Sequence, residues 1–233
     1  MKAKYIAGVL LALIASTSFA QFKECADQFP NGLIPATNQP GRELCFDSFA
    51  VYYSPLTKKP VYTVERLNRQ RLKDAYEERT NLFYEEARLR SSERASLSDY
   101  SRSGFDRGHN APAADMPNPN AMAQSFSLAN VMPQARENNR GIWAEAVEKP
   151  TRQYVKRAKG DVFVYTGSVG EAGRIGPGRV VVPTHLFKLV YDQVRGEAWA
   201  YWIENTNAAS MRPPISYADI KQLTGIDFRL PIN

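Results

Sequence analysis

The stretch Ser101-Arg102-Ser103-Gly104-Phe105-Asp106-Arg107-Gly108-His109-Asn110 decides the fold of this chain. Ser101 to Gly104 is turn chemistry, and Phe105 to His109 reads as a short strand that ends on a histidine. Pro112, Pro117 and Pro119 follow closely, so residues 111–120 read as an irregular loop over that strand end. Histidine is the side chain whose unperturbed pKa lies nearest neutrality, and the chain has only two. Arg107 beside it offers a planar, two-pronged donor set that suits a phosphate. Downstream, residues 125–132 alternate apolar and polar as a second strand, and Asn139-Arg140-Gly141-Ile142-Trp143 opens a helix over 139–159 that runs through Pro150. A base, basic clamps and a neutral oxygen ligand are what metal-assisted cleavage of a phosphodiester requires.

Three ordered blocks carry a resemblance. Asp99 to Ala113, containing Asp106-Arg107-Gly108-His109, resembles the signature of the DNA/RNA non-specific endonucleases, the Serratia nuclease and endonuclease G type. Phe126-Ser127-Leu128-Ala129-Asn130-Val131-Met132-Pro133-Gln134, with Asn139 and Trp143 at family spacing, is similar to the same family. So is Val182-Pro183-Thr184-His185-Leu186-Phe187-Lys188. The likeness runs from about Phe46 to Phe228. It implies an α+β fold class: the ββα-metal nuclease fold, a central, mostly antiparallel sheet flanked by helices.

The resemblance also implies site roles. His109 would be the general base and Asn139 the metal ligand. The metal would be Mg²⁺, with Mn²⁺ as an alternative, because a single neutral oxygen suits an ion that keeps several of its waters. Arg107 and Arg102 would clamp phosphate and stabilise charge in the transition state, with Arg140 and Arg152 as further substrate-binding cations. Arg102 departs from the pattern, since relatives often carry Arg-Gly where this loop has Ser-Arg. Asp106 would orient its neighbours rather than touch substrate, and His185, within a strand-forming run, reads as a packed side chain.

A second departure concerns an acidic residue. The family places a glutamate four residues after the tryptophan, where this chain has Val147, followed by Glu148. One residue rotates a side chain by about 100° around an α-helix. Three readings stay open: a local bulge in the helix, a Glu148 that arrives from another angle, or substitution by Glu145. Glu148 is the catalytic candidate, and Arg152, four residues on, can share its face.

The activity implied is an exported, Mg²⁺-dependent, sugar-non-specific endonuclease that cuts DNA and RNA to 5′-phosphorylated products. Phosphate-directed groups position a strand without reading its sequence. The rival is a weak or dead nuclease fold serving as a nucleic-acid-binding protein, for which the displaced glutamate is the sole support. A phosphodiesterase or phosphatase acting on small nucleotides is a third reading, favoured by an enclosed pocket and opposed by an open basic cleft. Metallonucleases that hold zinc with several histidines are excluded by the histidine count.

Outward from these blocks, residues 1–20 read as a signal peptide: Lys2 and Lys4, an apolar run from Ile6 to Ala15, then Ser18-Phe19-Ala20 at the cleavage positions. The expected location is exported, periplasmic or secreted, with no stable membrane association after cleavage. Residues 21–45 read as an N-terminal arm pinned by a Cys25–Cys45 disulfide, and 46–233 as the nuclease domain. That pair closes a short loop, worth about 3 kcal/mol in the chain-entropy model. The sequence does not decide whether an inhibitor protein or a second copy of the chain binds.

The formal charge is +6, and removing Lys2 and Lys4 leaves +4. Arg66, Arg69, Arg71, Arg88, Arg90, Arg94, Arg102 and Arg107 crowd the approach to the histidine, where a polyanion would have to lie. Glu77, Glu78, Glu85 and Glu86 are interleaved, which fits a mixed-sign surface equally well. Strands at 46–53 and 60–65 are expected to form one edge of a sheet, with core strands at 161–166, 179–192 and 197–205. A helix is expected over 217–224, ended by Gly225.

Overall fold

The computed structural model describes residues 22–75 and 78–232, so the apolar leader and Glu77 lie outside the described residues. The aromatic and β-branched runs form β1 (Arg42–Cys45), β2 (Phe49–Ser54), β3 (Lys59–Leu67), β4 (Phe105–His109), β5 (Val131–Ala135), β6 (Val162–Val169), β7 (Gly173–Ile175), β8 (Val180–Val182), β9 (His185–Asp192), β10 (Glu197–Glu204) and β11 (Ile215–Ser216). Between them lie the short helices α1 (Arg69–Asp74), α2 (Leu97–Tyr100) and α3 (Pro119–Ser125), then α4 (Lys149–Val155) and α5 (Tyr217–Thr224). Seven strands build one sheet in the order β1-β2-β3-β6-β9-β10-β11, with antiparallel neighbours throughout. This is the α+β arrangement expected from the sequence.

Alternation along the strands separates two faces. Tyr62 and Val64 of β3 join Phe163, Tyr165, Leu189 and Tyr191 in one core, covered by Phe22, Phe29, Phe228 and Ile220 of α5. On the opposite face, Val162, Val164 and Val190 pack against Leu72 of α1 and Val155 of α4. Leu186 and Ile203 pack there against Met132, Trp143 and Val147. That second face carries the β4–β5 ribbon and the helix expected to hold Asn139.

Several boundaries differ from expectation for identifiable reasons. The segment read as an arm is built into the domain: short helical turns at Phe22–Gln28 and Pro30–Gly32 bury Phe22 and Phe29, and β1 extends the sheet. The expected strand over 125–132 moves to β5, because residues 125–130 form a helix end and a turn whose alternate apolar side chains, Phe126 and Leu128, still reach the core. The expected loop over 111–120 holds as far as Asn118, apart from a short helical turn at Ala113–Asp115, and α3 begins at Pro119, with Asn118 capping the Ala121 N–H. Pro183, which cannot donate to a ladder, splits 179–192 into β8 and β9. Helix α5 is as expected, and Gly225 ends it in the left-handed conformation at φ +67°.

Cys25 and Cys45 form a disulfide with Cα atoms 5.9 Å apart. Reduction should lower the thermal midpoint in calorimetry, in line with a loss of about 3 kcal/mol, while the low-temperature circular dichroism spectrum stays unchanged. An unshifted midpoint would show that packing of Phe22 and Phe29 alone secures this segment.

Candidate active site

The β4–β5 ribbon pairs Gly108 with Met132 and His109 with Val131. A Cβ on Gly108 would lie 2.6 Å from the Cβ of Gln134, so only glycine lets the two strands approach here. Beyond the strand, Asn130 locks the chain: its side chain donates to Ala111 O and Ser125 O and accepts from Ala111 N. His109 therefore ends a rigid element. Its ring sits between Phe83 (centroids 5.3 Å) and Phe126 (5.0 Å, nearly perpendicular), and Nε2 is buried without a hydrogen-bond partner. Burial, reinforced by Arg79 and Arg107, pushes its pKa down to about 3. The imidazole is thus neutral and able to accept a proton.

The helix opposite resolves the displaced glutamate. Asn138–Glu148 is a π-helix, in which N–H groups bond five residues back, and α-helical geometry resumes at Lys149. At about 100° per residue, an α-helix would put Glu148 on the far side from Asn139, nine positions away. With roughly one residue more per turn, nine positions make close to two full turns. Asn139, Ala144 and Glu148 accordingly line one pocket. Trp143 and Val147 point the other way into the core, which fixes the helix in rotation. The bulge is the reading that holds, and Glu145 lies on the surface paired with Lys149 at 2.7 Å. Asn138 is also set apart: buried, it accepts from Gln134 and donates to Glu204 O.

Charged groups complete the pocket, a cleft of about 380 Å³. Asp106 is its organiser: Arg140 donates two bonds to it (2.8 and 3.0 Å), Asn139 Nδ2 donates one (3.1 Å), and Arg136 lies at 3.5 Å. Burial raises the Asp106 carboxyl, but these partners outweigh it and hold it below its ordinary value. Arg140 lines the pocket while spending its guanidinium on Asp106. Arg107 lies over the Phe83 ring at 4.2 Å. Arg79, which no motif in the sequence marks, also lines the pocket, delivered by the loop after α1.

Behind the pocket, Arg152 contacts Asp115 at 3.3 Å and Glu148 at 3.9 Å, so it neutralises buried carboxylates rather than facing outward. Burial raises the Glu148 carboxyl, Lys188 and Arg152 lower it, and Asp115 raises it further. Beneath these lies Glu65, buried with neither oxygen hydrogen-bonded, and Lys188, whose Nζ donates to Thr166. Arg102 is not brought to the pocket; it sits on an exposed turn at φ +55°. His185 is stacked on Trp202 (centroids 4.9 Å) outside the pocket.

The model of the DNA/RNA non-specific endonucleases matches residues 31–232. The chain belongs to that family. Nuclease C1 from Cunninghamella echinulata var. echinulata is 31% identical over 204 residues, covering 78% of this chain and 80% of that protein. Human mitochondrial endonuclease G is 34% identical over 163 residues, covering 64% of this chain and 54% of its own length. Against that relative and the frog mitochondrial nuclease EXOG (31% over 175 residues, 70% of this chain and 48% of its own length), the chain spans about half the partner's length. In shape it matches the crystal structure of the EndoG/EndoGI complex with a TM-score of 0.72 over 82% of this chain and 86% of that one, at 22% identity. The ββα-metal nuclease fold expected from the sequence is thereby established for this chain.

The relatives overturn the expected location. Frog, human and yeast members of the family are mitochondrial nucleases, neither periplasmic nor secreted. A basic start followed by an apolar run is read by a receptor, and charge and hydropathy alone do not name the compartment.

Proposed function

We propose that the protein hydrolyses phosphodiester bonds of DNA and RNA as a metal-dependent endonuclease. The observation that carries this reading is the convergence of the neutral His109, Asn139 and Glu148 on one cleft whose rim exposes Arg79 and Arg107. The donors fit a hard divalent cation. Asn139 commits its amide nitrogen to Asp106, leaving its oxygen as the ligand atom, and Glu148 adds a carboxylate from the same helix face. No trio of His, Cys, Asp or Glu among the described residues forms a cage, and so sparse an oxygen set suits Mg²⁺, or Mn²⁺ in its place. Such an ion supplies neutralisation of the scissile phosphate and Lewis-acid relief of charge on the departing oxygen.

The chain's own groups do the rest. His109 takes a proton from a water that attacks phosphorus in line with the 3′ oxygen. Arg107 and Arg79 stabilise the charge that builds on the pentacovalent phosphorus. The bond from phosphorus to the 3′ oxygen breaks, the 3′ oxygen takes a proton from solvent, and the phosphate stays on the 5′ side. Phe83 and Phe126 keep the imidazole dry and neutral before substrate arrives. Asp106 holds Asn139 and Arg140 in place. The dead-nuclease reading loses its support once the π-helix returns Glu148 to the cleft, and exposed arginines on the rim favour a polymer over a small nucleotide.

Incubation of the purified chain with plasmid DNA and with RNA, with and without EDTA, tests the proposal. Both substrates should be cut, and chelation should stop cutting. Asn139→Ala should raise the Mg²⁺ concentration needed for half-maximal rate, whereas Asn138→Ala should lower thermal stability. A metal requirement unchanged in Asn139→Ala would remove Asn139 as the ligand.

A further inference from the structure

The junction of α1 with the end of α4 carries six cations: Arg69, Arg71 and Lys73 on one side, Lys156, Arg157 and Lys159 on the other. None of the six is ion-paired among the described residues, whereas Arg42, Arg66, Arg88 and Arg94 each hold a carboxylate. All but the half-buried Arg71 are exposed. The nearby acids are hydrogen-bonded: Asp161 by Arg66 and Asn68, Asp74 by Gln70, and Asp192, which lines the larger cleft, by the Tyr154 hydroxyl and the Val194 and Arg195 N–H groups. Two clefts, of about 420 and 340 Å³, meet at Ala158 and Lys159 and make a trough across the junction.

From these features we infer that this basic trough is a second contact surface for the nucleic-acid backbone, engaging phosphates that lie beyond the catalytic cleft. The inference rests on the nuclease reading above. One stretch of chain leads from cleft to trough. The α4 stretch runs eight residues from Glu148 to Lys156, about 12 Å of helix, or roughly three to four phosphates of one B-form strand. Burial raises the Asp115 carboxyl, and Lys156 is near enough to offset a small part of that rise beside Arg152. Unpaired, solvated cations on an open surface bind by releasing counterions from a polyanion, which demands no enclosed pocket and reads no sequence.

The test uses the variant Lys156→Gln/Arg157→Gln/Lys159→Gln and, on the independent segment, Arg69→Gln/Lys73→Gln. Binding of a fluorescent 40-base-pair duplex is measured in EDTA across a salt series, and cleavage with Mg²⁺ is measured on the duplex and on a tetranucleotide. The first variant should bind the duplex at least about tenfold more weakly near physiological salt, with the salt slope shallower by roughly 2–3. Its rate on the tetranucleotide should match the unaltered protein. The α1 variant should move the same way by less. An unchanged salt slope, or equal losses on duplex and tetranucleotide at an unchanged thermal midpoint, would overturn the inference. Duplex binding by an unaltered protein that cuts neither substrate would instead overturn the nuclease reading and leave the trough standing.

Discussion

His109→Ala should lose between two and four orders of magnitude in cleavage rate, the range that general-base catalysis supplies, about 10²–10⁴-fold. The physical basis is the environment of the ring. Two phenyl groups and two arginines hold it uncharged, and a neutral imidazole on a rigid strand end is a proton acceptor with little else to do. Alanine leaves a gap between Phe83 and Phe126, so His109→Asn should be measured beside it as a closer fit. Both variants should still bind duplex DNA in EDTA, because the arginines of the rim are untouched. His185→Ala is the control: it removes a stack on Trp202 and should lower the thermal midpoint with the rate retained at low temperature. Full activity in a folded His109→Asn protein would remove His109 as the base.

The second large effect is expected at Glu148. Glu148→Gln keeps shape and volume but removes the carboxylate that lines the cleft from the same helix face as Asn139. Cleavage should fall by about 10² or more, the scale of a lost acid–base or metal-orienting group, with folding and DNA binding in EDTA close to unchanged. Glu145→Gln should be near neutral, since it breaks only an exposed pair with Lys149. Reversal of the two phenotypes would transfer the acidic role to Glu145. A full rate in both would leave His109 and the arginines to work without an acidic partner.

The fate of the arginines shows where reading the chain reaches its limit. Between Arg66 and Arg107 the sequence supports both a polyanion surface and a mixed-sign solvated face. The structure divides the set: Arg66, Arg88 and Arg94 are tied to Asp161, Glu86 and Glu85, Arg107 rims the cleft, and Arg102 stands apart on its turn. Arg79 had no pattern to mark it, because it reaches the cleft through the path of a loop.

The sequence by itself determined the features that local chemistry dictates. The turn, strand and histidine of residues 101–110, the capped helix α5 and the cysteine pair are specified within a few neighbours or by a covalent bond, so they were legible without a fold. Only the tertiary structure decided which side of the helix Glu148 occupies, because that depends on Trp143 and Val147 being drawn into the core. Burying a large apolar side chain is worth about 1.5–3 kcal/mol, enough to select a π-helix that local propensity alone would not choose. The same packing drew Phe22 and Phe29 into the sheet's core and made a domain edge out of an expected arm. Contacts between residues far apart in the chain made both choices, and no window along the sequence contains them.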